Sequence, residues 1–177
     1  MQLLQSVESI ELFFADMITN YLNLTQDKVL IMYSENGQVT YGIDVDAVYV
    51  HVAPVNDIRL QYKERSLEYD EQSDDFTLTQ QSMRTLELHL VFYGPNSVEN
   101  AQKFSEYVHT ETARYQMAKN NLNLVGEMQN GPNHIHELKS GKWYKRTDLT
   151  LAFYNAISIE ETIERIVDAD IKIEYDL

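Results

Sequence analysis

The sequence predicts an α+β protein: an antiparallel β-sheet with a long hairpin, flanked by two main α-helices. Three observations carry this. Helical periodicity appears in two segments, one at the start and one in the middle. Segments that alternate apolar and polar residues lie between and after them. That order does not build the repeated strand–helix–strand units of a parallel sheet. The 177 residues, with six glycines, three prolines and no internal repeat, read as a single domain over 1–177.

Residues 7–22 come first. Val7, Ile10, Phe14, Met17, Ile18, Tyr21 and Leu22 recur at spacings of three and four, with Glu8, Glu11 and Asp16 off the stripe. Ser6 suits the N-cap. Val29 to Tyr33 is an apolar run fitting a buried strand, and Glu35-Asn36-Gly37 is turn chemistry. Residues 47–53 alternate, Val48, Val50 and Val52 on one face and Tyr49 and His51 on the other, with Pro54 as a stop or edge. Residues 58–69 alternate again, the acidic Asp70 to Asp75 follows, and 76–93 returns with Leu86, Leu88, Leu90 and Phe92 facing the core. This predicts a long hairpin with an acidic tip.

Gly94-Pro95-Asn96 is a strand-to-helix corner, with Asn96 as N-cap and Glu99 as its capping-box partner. One helix is expected to about residue 117, burying Val98, Ala101, Phe104, Val108 and Tyr115. Residues 122–125 suit a short strand, and Gly126 to Gly141 reads as loop. Trp143 to Tyr154 is a strong strand with Trp143, Leu149, Leu151 and Phe153 on one face. Residues 157–167 admit two readings: Ser158 and Glu161 could cap a helix, or Ile157 and Ile159 could alternate in a strand. Ile171, Ile173 and Tyr175 close the chain at strand spacing.

Composition narrows function. With 28 acids against 14 basic residues the net charge is −14, which excludes a simple nucleic-acid binder and argues against attraction to anionic lipid. The apolar fraction of 44% is that of a globular chain. No apolar run reaches the roughly 18 residues of a membrane span, and the first residues lack the basic start of a signal peptide. The absence of cysteine excludes disulfides, thiolate zinc sites and a cysteine nucleophile, and fits synthesis in a reducing cytosol.

Few residues suggest chemistry. His134 and His136 would share a face if extended, with Glu137 beside them, but spacing assigns no third ligand, and a polar loop is the simpler reading. His51, His89 and His109 stand singly at surface or boundary positions. Glu137-Leu138-Lys139 is half of a metal-dependent nuclease motif, but Asn133 stands where the upstream Asp should be. The acidic segment lacks the glycine of a calcium loop. It reads either as a solvated tip or, through Asp70, Glu71, Asp74 and Asp75, as a negative surface past which DNA moves without sticking. No nucleophile elbow, phosphate loop or dinucleotide fingerprint occurs, so no enzyme, cofactor or metal is expected. Twelve tyrosines in 177 residues point either to an assembly interface or to the second face of a sheet.

Three stretches together resemble the tail terminator or neck proteins of long-tailed bacteriophages. Arg84-Thr85-Leu86-Glu87-Leu88-His89-Leu90-Val91-Phe92-Tyr93-Gly94-Pro95-Asn96-Ser97 is similar to that family's strand ending in Tyr-Gly before a helix start. Trp143 to Phe153 is similar to its late strand, and Ile166 to Ile173 to its closing strand. The resemblance implies a non-enzymatic ring, usually hexameric, that caps the tail tube, stops its polymerisation and joins it to the head–tail connector. The implied partners are further copies of the chain, the tail tube protein and the connector, with DNA passing through and no membrane involved. The implied location is the virion neck, assembled in the host cytoplasm. Two other classes remain open: an acidic DNA mimic that inhibits a DNA-binding enzyme, and another tail subunit such as a tube or completion protein. In a ring, the −14 charge is multiplied by the subunit number. Contacts between subunits must then be largely apolar and aromatic, or assembly must depend on salt.

Overall fold

The computed structural model describes residues 6–33, 41–55, 63–70, 75–125 and 131–163. The first helix, α1 (Val7–Leu22), starts where the sequence places it: Ser9 N–H donates to Ser6 Oγ at 3.1 Å. It ends at Asn23, whose φ of 54° turns the chain left-handed. Ile10, Phe14, Met17 and Ile18 form its buried stripe.

Among the described residues seven strands follow in one sheet: β1 (Val29–Ile31), β2 (Ala47–Pro54), β3 (Lys63–Asp70), β4 (Asp75–Tyr93), β5 (Leu122–Leu124), β6 (Asn133–Lys139) and β7 (Lys142–Ile163). The main path runs β1-β2-β4-β7-β5, with β3 added to β4 and β6 to β7. The long antiparallel pair β4–β7 is its spine, unbroken from Phe76↔Ile163 to Tyr93↔Arg146. Because that register has no bulge, side chains keep their face along the whole length. Val48, Val50, Val52, Leu86, Leu88, Leu90, Phe92, Leu149, Leu151 and Phe153 all point to the helices and form one core with Phe14 and Phe104. Fully burying each of the larger side chains contributes about 1.5–3 kcal/mol.

Several expectations need correction. The sheet is mixed, because β1 runs parallel to β2. β1 is also shorter than the 29–33 run: Tyr33 has φ 59° and is exposed. The single helix after the corner is two, α2 (Ser97–Tyr107) and α3 (Glu111–Ala118). Thr110 starts the second, with Ala113 N–H donating to its Oγ1 at 3.3 Å. This break resets the helical phase, so Ala113 and Met117 are buried while Tyr115 is 63% exposed. The capping box does not form either. Asn96 makes no side-chain cap, because its Nδ2 donates to Asp46 Oδ2 at 2.7 Å, and Glu99 pairs with Lys103 instead.

The stretch 126–141, read as loop, contains β6, which pairs with β7 from Asn133↔Asp148 to Lys139↔Lys142. Its two-residue turn has positive φ at both Ser140 and Gly141, the arrangement that matches strand twist. Residues 157–163 continue β7, which decides for the strand reading as far as Ile163. Trp143 shares a parity with Leu149 and Leu151, yet it is 64% exposed, since that end of the β6–β7 hairpin runs past Tyr93, the end of β4. The predicted turn at 35–37, the alternation at 58–62 and the closing strand at 166–175 lie outside the described residues.

Candidate assembly surfaces

The hairpin exists as the sequence predicts, and it becomes part of a three-stranded arm. β3 pairs with β4 from Lys63↔Ser82 to Asp70↔Asp75, while the other side of β4 is paired to the end of β7. The arm comprises β3, residues 75–85 of β4 and residues 154–163 of β7. Parity extends the core face of β4 outward through Arg84, Ser82, Gln80, Leu78 and Phe76. Beside these stand Lys63, Arg65, Leu67 and Tyr69 on β3 and Ile157, Ile159, Glu161 and Ile163 on β7, with Glu161 opposite Leu78. Its outer part is mainly apolar, through Leu67, Tyr69, Phe76, Leu78, Ile159 and Ile163, yet Leu67 and Ile159 are each 56% exposed and Tyr69 is 49% exposed. Glu64, Glu68, Thr77, Thr79, Glu160 and Thr162 make the opposite face polar. The arm is therefore amphipathic, and its apolar face lies on the helix side of the sheet.

At its tip, Asp70 and Asp75 are paired in register. Asp75 is half-buried. Glu71, Asp74 and the side chain of Asp70 lie outside the described residues.

The sheet face turned away from the helices carries a second, smaller cluster of Ala47, Tyr49 and Val91, packed by Leu30, Met32, Tyr41 and Tyr93. Tyr49 and Tyr93 meet edge to face with centroids 5.6 Å apart, and Tyr93 meets Tyr144 likewise at 6.5 Å. The Lys28 ammonium lies over the Tyr41 ring, whose hydroxyl donates to the Asp27 carbonyl. These tyrosines, with Glu137 and Lys139, line a cavity of about 240 Å³. The two readings of the tyrosines thus divide by position: Tyr49 fills the second face of the sheet, whereas Tyr33, Tyr69 and Tyr115 are exposed.

An ionic network reaches the cavity wall through Tyr93 and Glu137. Tyr93 Oη donates to Glu137 Oε2 at 2.6 Å. Arg146 forms a fork to Asp148 at 2.7 and 2.8 Å and stands 3.7 Å from Glu137. Burial, then the bond to Glu137, holds the Tyr93 hydroxyl well above its ordinary pKa. The hydrogen bond to Asp148 holds Arg146 higher still in its charged form. Glu137 is thereby tied between a tyrosine and an arginine. It stands on a formed strand, where the sequence reads as loop.

Four of the five histidines form two pairs. His134 and His136 share a face of β6, with ring centroids 4.7 Å apart, and His134 Nδ1 lies 3.3 Å from Thr147 Oγ1. His51 and His89 lie opposite one another on β2 and β4. Among the described residues no three His, Asp or Glu side chains converge as metal ligands, and no helix is long and apolar enough to cross a membrane.

Sequence reasoning missed Glu11. Expected on the solvent side, it is only 7% exposed. Among the described residues no strand pairs with β2 on this side beyond the end of β1, and there Val52 N–H donates to Glu11 Oε1 at 2.8 Å. His51 Nδ1 donates to the same oxygen at 3.1 Å. Two positions on, Pro54 has no N–H to offer. The edge is thus closed to a further strand by a carboxylate and a proline. The arm's face was also missed, although Leu67 and Tyr69, two apart, carried its signal.

A family model described as phage neck terminator protein matches residues 10–176. No curated protein matches the chain at significance.

Proposed function

Since the chain belongs to the phage neck terminator protein family, we propose that it acts as one subunit of a ring, most simply a hexamer, that caps the tail tube. The ring stops tube polymerisation and offers its other face to the head–tail connector. No catalytic step is part of this role. DNA passes through the ring without being gripped, in keeping with a chain of net charge −14. The mature location is the neck of the virion, after assembly in the host cytoplasm.

The amphipathic arm is the observation that carries this reading. It extends the sheet beyond the helix layer and leaves Leu67, Ile159 and Ile163 exposed, a surface suited to a neighbouring subunit. A contact of this kind, between two different patches, closes into a ring when its rotation closes and then cannot grow sideways. Capping follows if one ring face matches the tube and the other does not repeat it.

Light scattering on the purified protein and electron microscopy of tails made without it provide the test. Discrete rings and overlong or unjoined tails are expected. A protein that never forms rings, combined with tails of normal length in its absence, would overturn the reading. Long tubes formed by the protein alone would identify it as a tube subunit instead.

A further inference from the structure

Resting on the ring reading, we propose that the helix-side face of the arm seats on the exposed stripe of α1 in a second copy of this chain. Leu67 meets Leu12, and Arg65 falls beside one of the carboxylates that flank Leu12.

Charge complementarity is the first argument. Lys63, Arg65, Leu67 and Tyr69 stand in one row on β3. In a chain with only 14 basic residues, two occupy this row, and neither has a carboxylate partner among the described residues. Arg65 donates only to Gln80, at 3.2 Å. The solvent stripe of α1 has the opposite character. Glu8, Leu12 and Asp16 follow one another at spacings of four, all exposed, and α1 contains no basic residue. Leu12 is 53% exposed between its two acids.

Spacing is the second argument. Alternate residues of a strand lie about 6.6 Å apart, and residues four apart on a helix rise about 6 Å. With Leu67 over Leu12, one step along each row brings Arg65 next to Glu8 or Asp16. An apolar contact flanked by an ion pair excludes water from the centre and fixes register through the charge.

Connectivity supplies the third. Within one chain α1 packs against β1, β2 and α2, while the arm runs the other way along β4, past Leu86 towards Phe76. Each copy offers one arm and one α1 stripe, so the contact is heterologous and repeats around a ring.

The absence of cysteine makes the test direct. A Leu12→Cys/Leu67→Cys double variant, mildly oxidised, should give a ladder of covalent oligomers on a non-reducing gel. Each single variant alone should stay monomeric there, and an equal mixture of the two should stop at dimers. Arg65→Glu should weaken association at least about tenfold, and Glu8→Lys with Asp16→Lys in the same chain should restore it. If the unmodified protein forms rings but the double variant does not cross-link, this contact is wrong while the ring reading stands. Homodimers of Leu67→Cys alone would mean arm-to-arm pairing and would also overturn it. An unmodified protein that is monomeric at every concentration would overturn both.

Discussion

Asp46 holds the corner between β4 and α2 through Asn96: its Oδ1 accepts the Asn96 backbone N–H at 2.9 Å and its Oδ2 accepts the Asn96 amide at 2.7 Å. The chain reaches this corner through Gly94, at φ 107°. A Cβ on Gly94 would stand 2.6 Å from the Val45 carbonyl oxygen and 2.7 Å from the Asp46 Cα. Both the positive φ and the close approach therefore require glycine.

Gly94→Ala should be the costlier change at this corner, by about 1–3 kcal/mol. Asp46→Ala should cost about 1 kcal/mol, the loss of a cap. Urea unfolding followed by circular dichroism measures both, and equal stability of Gly94→Ala and the parent would contradict the steric argument.

Glu11→Ala leaves the Val52 N–H without its acceptor in a buried position, at a cost of about 1–3 kcal/mol. Glu11→Gln keeps an oxygen acceptor and should lose less. Reopening the β2 edge should also make Glu11→Ala aggregate more readily than Glu11→Gln at matched stability, as read by light scattering.

Alkali should destabilise the fold partly through Tyr93. Its hydroxyl titrates higher in the folded chain than the unperturbed value of 10.0. Between those two values the folded state holds the proton while the unfolded state has released it. The contribution is fully present below pH 10 and is lost as pH rises through the folded value. Tyr93→Phe should flatten the fall in melting temperature above pH 10 relative to the parent; an unchanged slope would exclude Tyr93 as its source.

Leu67→Ser and Ile159→Ser should change monomer stability by no more than about 0.5 kcal/mol, because both side chains are largely exposed. Leu88→Ala, at a fully buried position, should cost about 2–5 kcal/mol. Denaturation at concentrations too low for association separates the two classes. A large cost at Leu67 would mean that the arm's apolar face already supports the isolated chain.

The core was legible because its residues announce their period. Val48, Val50 and Val52 alternate against Tyr49 and His51, and Leu86 to Phe92 do the same, so strand and inward face follow directly. β6 escaped notice because its residues are exposed on both faces apart from the half-buried Glu137, which leaves no alternation to read. The parallel β1–β2 pair escaped because three residues carry no sign of direction. Thr110 followed by Glu111 was a helix-start signal, hidden inside a longer apolar rhythm that appeared to continue to Tyr115. Glu11 was beyond local reading altogether, since its partners Val52 and His51 are 41 and 40 positions away. Of the proposed tip residues, Asp75 alone has a described side chain, and it stands in register with Asp70 at the end of the β3–β4 pair.

The uninterrupted pairing of β4 with β7 bears on how the chain reaches its native state. Every rung joins positions more than 50 apart, from Tyr93↔Arg146 to Phe76↔Ile163. Contacts of such high order must overcome loop-closure entropy before they contribute stability, which places folding towards the millisecond-to-second range. The rungs nearest Tyr93 close the shortest loop, so the pair should zip from the Gly94 corner outward and complete the arm last. β3, by contrast, can fold against β4 locally, because Asp70 and Asp75, its last paired rung, are close in sequence. It shields one edge of β4 while the chain that will become β7 is still leaving the ribosome.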